Sequence, residues 1–278
     1  MHMISRILRY LLFFLLLPVV VVQAQQAPAS NAATYQPPVF KDDARVEKMK
    51  ALFPAIEKMY KDYAQEKKFP GVAFGIVVND RLVYTGNTGF TNLAKKTPVS
   101  SASLFRIASM SKSLTAMAIL KLRDEGKLRL DDAASRYIPA LKDVRLLTTD
   151  APSITIRDLL THSAGFPEDN PWGDRQLDIT HGVFMAMLEK GISFSNVPGV
   201  AYEYSNMGFA MLGEIIAVVS GTSYQQYITR NILEPLGMTH TGWEYTKVPA
   251  ALLAHGYRWL NGNWQEEELL HDGVYGAM

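Results

Sequence analysis

The 278-residue sequence contains no cysteine, and its charges nearly cancel. The absence of cysteine excludes disulfide scaffolds, zinc ribbons, iron–sulfur clusters and thiol catalysis. With 28 Lys and Arg against 27 Asp and Glu, and no block of basic residues, the sequence lacks the electrostatic pattern of a protein that binds nucleic acid. It does have apolar residues, which make up 48% of the chain. That share excludes a disordered chain and is enough for a packed core.

The N-terminal residues are typical of a secretory signal peptide. Two arginines precede an apolar run from Leu11 to Val22, and the small residue Ala24 follows at the cleavage position. The run is shorter than the ~18 residues of a membrane-spanning helix and contains Pro18, which favours cleavage over an uncleaved anchor. We therefore predict a signal peptide over 1–24, a flexible leader over 25–44, and an exported protein, periplasmic or secreted, with no stable membrane span.

The remaining sequence, 45–278, is predicted to form one folded domain. Apolar residues at steps of three and four indicate a helix from about residue 45. Two β-rich runs, Val72–Val78 and Leu82–Thr85, are separated by an Asn-Asp pair and predict a β-hairpin. A mainly helical region follows over about 109–245. A sheet in one part of the chain and helices in another predict an α+β fold.

Ser109 and Lys112 are the first candidate catalytic residues. They precede or begin a helix, so that Ser109 lies near its N-terminus and Lys112 lies one turn later on the same face. A serine hydroxyl becomes a strong nucleophile when a base takes its proton, and a desolvated neutral lysine amine can do this. By itself the spacing is weak, because a helix-capping serine followed by a solvated lysine looks the same. The buried stripe of this helix is predicted to comprise Leu114, Met117, Ala118 and Leu122.

The tripeptide Tyr204-Ser205-Asn206 is a second motif, in a loop directly before an apolar helix. A tyrosine hydroxyl near Lys112 can serve as general base or acid. The Asn206 amide offers one donor and one acceptor to a substrate amide or to Lys112. Taken alone, the tripeptide fits equally well a Ser/Asn helix cap beside a core tyrosine.

Four stretches, taken in order, resemble the serine β-lactamase-like superfamily of class C β-lactamases, D-alanyl-D-alanine carboxypeptidases and related esterases. They are residues 96–99 running into 104–112 with the Ser-x-x-Lys signature, then 154–165, 202–206 and 235–238. The resemblance covers roughly residues 45–278. It implies a β-lactamase/transpeptidase-like fold, in which an α/β sandwich with an antiparallel sheet flanked by helices is joined to a helical domain.

The resemblance also implies an acyl-enzyme mechanism that needs no metal and no organic cofactor. Ser109 attacks a carbonyl and provides one oxyanion-hole N–H, Lys112 with Tyr204 takes and returns the proton, and Asn206 binds and orients the substrate. The partner is a small-molecule or peptide substrate: a β-lactam, a D-Ala-D-Ala-type peptide or a small ester. The alternative is a catalytically silent penicillin-binding-like domain that binds cell-wall peptides.

The family's third motif, Lys or His followed by Thr/Ser-Gly on a strand, is expected beyond the end of this sequence. His240-Thr241-Gly242 matches it in letters, but no β-rich run carries this triplet, so we interpret it as a chance match. On this interpretation the fold is incomplete, because the C-terminal strands and one oxyanion donor are missing. We expect the 278 residues by themselves to fold poorly and not to form a competent enzyme.

Three further polar segments are candidates for a structural role, a substrate cleft or a metal site. His162 is predicted to be a structural residue that packs the end of a helix. Residues 169–174 fit either the rim of a substrate cleft or a plain Asn-Pro turn. Glu266–Glu268 with His271 are predicted to form a solvated face rather than a metal site, because consecutive side chains point in different directions.

Overall fold

The computed structural model describes residue 42 and residues 44–277. The predicted signal peptide lies outside the described residues, and so does the predicted leader apart from Asp42 and Ala44. Residues Val46–Met278 belong to one compact unit.

Two helices begin the described part of the chain, α1 over Arg45–Lys50 and α2 over Phe53–Glu66. The sequence predicted one helix here. The chain divides where Pro54 takes up one of the first positions of α2, because proline has no N–H to donate inside a helix and is accepted in the first turn. The Tyr60 ring of α2 stacks on Phe74 with ring centroids 4.1 Å apart, which packs α2 against the strands that follow.

A three-stranded antiparallel sheet follows, with β1 over Gly71–Val78, β2 over Arg81–Asn92 and β3 over Thr97–Pro98, in the order β1-β2-β3. The predicted hairpin is confirmed. Its turn residues Asn79 and Asp80 have φ values of 51° and 59°, the positive values that a tight type I′ turn requires. Strand β2 is longer than predicted, since its second half is rich in glycine and polar residues and carries no β-rich signal.

A second hairpin lies near the C-terminal end, with β4 over Tyr257–Leu260 and β5 over Asn263–Glu266. The sequence patterns described above did not predict this hairpin. Its turn is Asn261-Gly262, with φ values of 51° and 81°. An Asn-Gly pair between aromatic residues is a strong hairpin pattern, so this element was open to prediction.

The core is built from helices. They are α3 (Ser111–Asp124), α4 (Ile156–Leu160), α5 (Asn170–Gly173), α6 (His181–Glu189), α7 (Asn206–Ser220) and α8 (Tyr224–Ile228), the last continuing as a π-helical segment, Thr229–Leu233. Helix α7 is central: most of its residues are buried, and it packs against both α3 and α4. Helices together with small antiparallel sheets make this an α+β fold, as predicted.

The buried face of α3 differs from the predicted one. Its buried residues are Lys112, Thr115, Ala118, Ile119 and Leu122, whereas Met117 is exposed. The face is polar at its N-terminal end, where the Thr115 hydroxyl lies 2.8 Å from the Tyr224 hydroxyl of α8. Apolar periodicity could not show this, because the first two buried positions carry polar side chains.

In the described part of the chain, no helix is long and apolar enough to cross a membrane on its own. Helix α7 and the helix after it satisfy the length and composition criteria only as a pair bent by 73°. Most of α7 is buried in the core described above.

Candidate active site

Ser109 lies in a single 3-10 turn, Ala108–Met110, directly before α3. Ala108 has a φ of 46°, a left-handed conformation that costs an L-residue roughly 1–2 kcal/mol. The segment before this turn is anchored by Arg106, whose guanidinium donates to the Leu270 carbonyl oxygen at 2.7 Å and to Asp272 Oδ1 at 3.0 Å. The serine therefore projects from an anchored and strained turn, and its side chain is exposed.

The structure brings the four predicted site residues together. Lys112 Nζ donates to Ser109 Oγ at 3.0 Å and to Asn206 Oδ1 at 2.7 Å. The Tyr204 hydroxyl lies 2.6 Å from Ser109 Oγ. Lys112 is buried whereas Ser109 is exposed, so the serine oxygen lies within hydrogen-bond reach of a buried amine and of a phenol hydroxyl.

Two aromatic rings complete the surroundings of the buried amine. Lys112 Nζ lies 4.7 Å from the centre of the Tyr204 ring and 5.4 Å from that of Phe209. Both distances lie within the range of contacts between amines and aromatic faces. Tyr204 therefore contacts the lysine through its ring and the serine through its hydroxyl.

Asn206 is fully buried at the first position of α7. Its Oδ1 accepts from Lys112, whereas its Nδ2 has no hydrogen-bond partner among the described residues. Gly173 lies against this side chain, and a Cβ on Gly173 would stand 2.6 Å from Asn206 Nδ2. A buried amide N–H left without an acceptor destabilises the folded state by about 1–3 kcal/mol. The unpaired Nδ2 of Asn206 therefore lowers the stability of the fold.

His162 marks the end of α4. This helix begins with a capping box formed by Thr155 and Asp158. It ends with the Ser163 N–H donating to the Asp158 carbonyl at 2.8 Å and the His162 N–H donating to the Leu159 carbonyl at 3.4 Å. These are the two bonds of a Schellman motif, in which the left-handed residue is usually glycine. Here that residue is His162, with a φ of 55°.

The His162 side chain contacts the tyrosine motif. Its Nδ1 accepts from the Ser205 N–H at 3.0 Å, and its carbonyl oxygen accepts from the Glu203 N–H at 2.8 Å. Its ring stacks on Tyr204 with centroids 4.7 Å apart. His162 does lie at a helix end, as predicted, but its ring packs on Tyr204, which the sequence analysis did not anticipate.

Asp169 begins the 169–174 segment considered above, but its contacts with the tyrosine motif were not predicted. Its Oδ1 accepts from the Asn206 N–H at 2.7 Å, and its Oδ2 accepts from the Met207 N–H at 2.8 Å and from the Ser205 hydroxyl at 3.3 Å. A carboxylate at a helix N-terminus satisfies free N–H groups and interacts favourably with the helix dipole. Residues 170–173 form helix α5, so the Asn-Pro turn considered above is wrong.

A family model for beta-lactamases matches residues 56–278, which is most of the chain. The chain belongs to the beta-lactamase family. Protein flp of Staphylococcus aureus is 36% identical to this beta-lactamase-family chain over 200 residues, 69% of this chain and 39% of that protein. Penicillin-binding protein 4* of Bacillus subtilis is 27% identical over 191 residues, 67% of this chain and 40% of that protein. The chain thus spans about two fifths of the length of these curated relatives.

Solved structures confirm the predicted β-lactamase/transpeptidase-like fold for this beta-lactamase-family chain. The octameric penicillin-binding protein homologue from Pyrococcus abyssi has 29% sequence identity and a TM-score of 0.66, covering 81% of this chain and 52% of its own. A class C beta-lactamase has 26% identity and a TM-score of 0.66, covering 84% of this chain and 61% of its own. The resemblance stated from the sequence motifs is therefore confirmed.

The remaining sequence candidates of this beta-lactamase-family chain lie in other surroundings. His240-Thr241-Gly242 lies in an irregular segment after the π-helical segment, and no strand carries it, which agrees with its interpretation as a chance match. Glu266 pairs with His255 at 2.6 Å, and His271 pairs with Glu244 at 2.8 Å. Over residues 42 and 44–277, no group of three or more His, Asp or Glu side chains is arranged to hold a metal ion.

Proposed function

We propose that this chain carries the acylation site of a serine hydrolase, with Ser109 as the nucleophile. The observation that carries the proposal is the position of Ser109 Oγ, 3.0 Å from Lys112 Nζ and 2.6 Å from the Tyr204 hydroxyl. A nucleophile within hydrogen-bond reach of its base is the arrangement that covalent catalysis requires. Here two such partners reach the same oxygen.

Acylation follows from this geometry. Ser109 Oγ forms a bond to the substrate carbonyl carbon while its proton passes to the Lys112–Tyr204 unit. The tetrahedral intermediate then collapses, the carbon–nitrogen or carbon–oxygen bond of the substrate breaks, and the same unit returns the proton to the leaving group. Water then hydrolyses the Ser109 ester and regenerates the hydroxyl.

Two groups bind and polarise the substrate in this proposal. The backbone N–H of Ser109, in the turn that begins α3, is one oxyanion donor, where the positive end of the helix dipole favours developing negative charge. Asn206 is proposed to orient the substrate. Its Nδ2 is buried against Gly173 and has no partner among the described residues, so this donor reaches a substrate oxygen only when the Asn206 side chain or helix α5 moves. A substrate acceptor at this atom would then remove the cost of the unpaired donor.

The substrate class we propose is a β-lactam, a D-Ala-D-Ala-type peptide or a small ester. Similarity to proteins named penicillin-binding protein and class C beta-lactamase supports an amide that mimics or belongs to a cell-wall peptide. The predicted signal peptide supports export to the periplasm or the medium, where such substrates occur.

The proposal is tested by the pre-steady-state burst with p-nitrophenyl acetate. The sequence alone led to the expectation that these 278 residues fold poorly and form no competent enzyme. Because Ser109, Lys112 and Tyr204 are in contact in this chain, we propose instead that it is acylated. The wild-type chain should then release a burst of p-nitrophenol that approaches one equivalent, because acylation of Ser109 expels the phenolate before the ester is hydrolysed. Ser109→Ala is expected to slow this phase by at least about 10³-fold. The matched control is Ser113→Ala, an exposed serine on α3 whose hydroxyl donates to the Met110 carbonyl, which should leave the burst unchanged.

A burst of equal size and rate in Ser109→Ala would contradict the assignment of the nucleophile. The absence of any burst from folded wild-type chain would instead favour the catalytically silent penicillin-binding-like domain, whereas a burst without subsequent turnover would show a working nucleophile whose acyl-enzyme is not hydrolysed. The last outcome is recognised by following p-nitrophenol release for many minutes after the burst.

A further inference from the structure

Two residues from other parts of the chain accept hydrogen bonds from the backbone in and beside the tripeptide Tyr204-Ser205-Asn206. His162 accepts from the N–H groups on both sides of Tyr204, with its carbonyl oxygen toward Glu203 and its Nδ1 toward Ser205. Asp169 accepts from the Asn206 N–H at 2.7 Å. Both residues lie far away in sequence, 43 positions from Ser205 and 37 positions from Asn206 respectively.

The backbone of His162 indicates that its side chain has a role beyond ending α4. It occupies the left-handed position of a Schellman motif, where glycine avoids the roughly 1–2 kcal/mol cost to an L-residue. Histidine is therefore less favourable than glycine at this position if its function is only to end the helix. What its side chain adds is the bond to the Ser205 N–H and the stacking on the Tyr204 ring.

The contact also defines a protonation state. Because Nδ1 accepts the Ser205 N–H, the imidazole must be neutral, with any proton on Nε2; the doubly protonated ring has no acceptor. The groups that face the ring are Tyr204 and Tyr202 in contact, with Lys112 and Asp169 close enough to interact electrostatically. Burial lowers the pKa of His162, Lys112 lowers it further, and Asp169 opposes both effects. The site therefore favours the neutral, accepting ring.

We propose that His162, in its neutral form, and Asp169 are positioning residues that hold the Tyr204 hydroxyl at Ser109 and the Asn206 amide at Lys112. This rests on the proposed role of Ser109. The two residues do not touch the reacting atoms. They act through the backbone of the tripeptide, whose displacement by an ångström is enough to cost about 10²-fold in rate at an active site.

The test compares His162→Gly with His162→Asn, because both accept the left-handed backbone. Asparagine places Oδ1 where histidine has Nδ1, so it keeps the acceptor but cannot be protonated, whereas glycine removes the acceptor. The readout is the rate at which a dialkyl fluorophosphonate labels Ser109, measured from pH 5 to pH 9 beside thermal unfolding. We expect His162→Gly to slow labelling about 10- to 100-fold at a temperature at which thermal unfolding shows all three proteins to be folded. His162→Asn should label within a few-fold of wild type.

The pH profile separates positioning from mere stability. The wild-type labelling rate should carry an acid-side fall from protonation of His162, and His162→Asn should lack that component. Asp169→Asn, which turns one accepting oxygen into a donor facing an N–H, should also slow labelling about 10-fold or more, while Asp143→Asn, an exposed control, should not. Equal labelling of His162→Gly and wild type would overturn the proposal.

A second readout does not depend on activity. Amide hydrogen exchange at Ser205, followed by NMR, should be at least tenfold faster in His162→Gly than in His162→Asn. Unchanged exchange would refute the positioning role even if Ser109 proves unreactive. Absence of labelling in wild type with the expected exchange pattern would instead reject Ser109 as nucleophile and leave the backbone contact established.

Discussion

The Tyr204 hydroxyl lies 2.6 Å from Ser109 Oγ, although the two residues are 95 positions apart in the chain. Ser109 lies in the turn that begins α3, and Tyr204 lies in the loop that begins α7. Packing of α3 on α7 brings the two helix N-termini together. Any change that alters this packing should therefore affect acylation before it affects the overall fold.

Removal of either proton-exchanging partner should slow acylation strongly. We expect Lys112→Ala and Tyr204→Phe each to lose most of the burst rate, because both contact the same serine oxygen. The double variant should be little slower than either single variant, since groups that act as one unit are strongly non-additive. Stopped-flow measurement of the p-nitrophenyl acetate burst in all four proteins checks this. Losses that add fully in the logarithm of the rate would show that the two groups act independently.

A methyl group at Gly173 should disturb Asn206. The Cβ of Gly173→Ala would lie 2.6 Å from both Cβ and Nδ2 of Asn206, which forces the amide or helix α5 to move. Overpacking of this kind costs about 1–3 kcal/mol, and the displaced amide should also slow acylation. Urea unfolding and the burst rate measure the two effects. The matched control is Gly182→Ala in α6, where nothing lies within 4 Å of the added Cβ, and stability should stay equal or rise.

Stability should depend on pH through His162. Its pKa is lowered in the folded protein, by burial first and by Lys112 second. The unfolded chain therefore binds the proton more readily, so this contribution to stability is complete above the ordinary histidine value of about 6.5 and is lost as pH falls through the lower folded value. His162→Asn removes the titrating group. The difference in unfolding free energy between wild type and His162→Asn should hence turn against wild type between pH 7.5 and pH 5; a difference independent of pH would refute the assignment.

The Arg106 side chain should contribute more to stability than an ordinary surface cation. It donates both to the Leu270 carbonyl and to Asp272, a largely buried carboxyl whose pKa is raised by burial. We expect Arg106→Ala to cost about 1–2 kcal/mol at pH 7, because it leaves this carboxyl with a weaker set of partners. Arg258→Ala, which breaks an exposed pair with Glu267, should cost less than about 1 kcal/mol. If urea unfolding shows that Arg106→Ala and Arg258→Ala lose the same unfolding free energy, the prediction is wrong.

The sequence indicated the four proposed site residues, which the structure brings together, but not the contacts that hold them in place. Ser109 and Lys112 are one helical turn apart, and a local spacing of this kind is visible in the chain. The Tyr204 motif was recognised only through its resemblance to a family. His162 lies within the 154–165 stretch that resembles the family, and Asp169 lies in a segment considered for the cleft rim, but neither signal predicts the contacts of these residues. Their bonds are to backbone N–H groups, which every residue type except proline provides, and depend on how α4 and α5 pack beside α7.

Two features of the fold were predicted wrongly or not at all, the buried face of α3 and the second hairpin. The polar end of the buried face of α3 concealed its true orientation, since Lys112 and Thr115 are buried for their hydrogen bonds and not for apolar area. The second hairpin was missed although its Asn261-Gly262 turn is a recognised pattern. The residues of the turn were therefore sufficient to predict the second hairpin. The buried face of α3 could be identified only from the tertiary structure.

The central claim, that Ser109 forms the acyl-enzyme, is tested most directly by locating a covalent adduct. The chain would be incubated with a penicillin and, separately, with a dialkyl fluorophosphonate, and then digested and mapped by tandem mass spectrometry. We predict one adduct per chain, on the peptide that contains Ser109 and on its hydroxyl, and none on the same peptide of Ser109→Ala. An adduct on another serine, or no adduct from either reagent on a chain shown to be folded, would contradict the account.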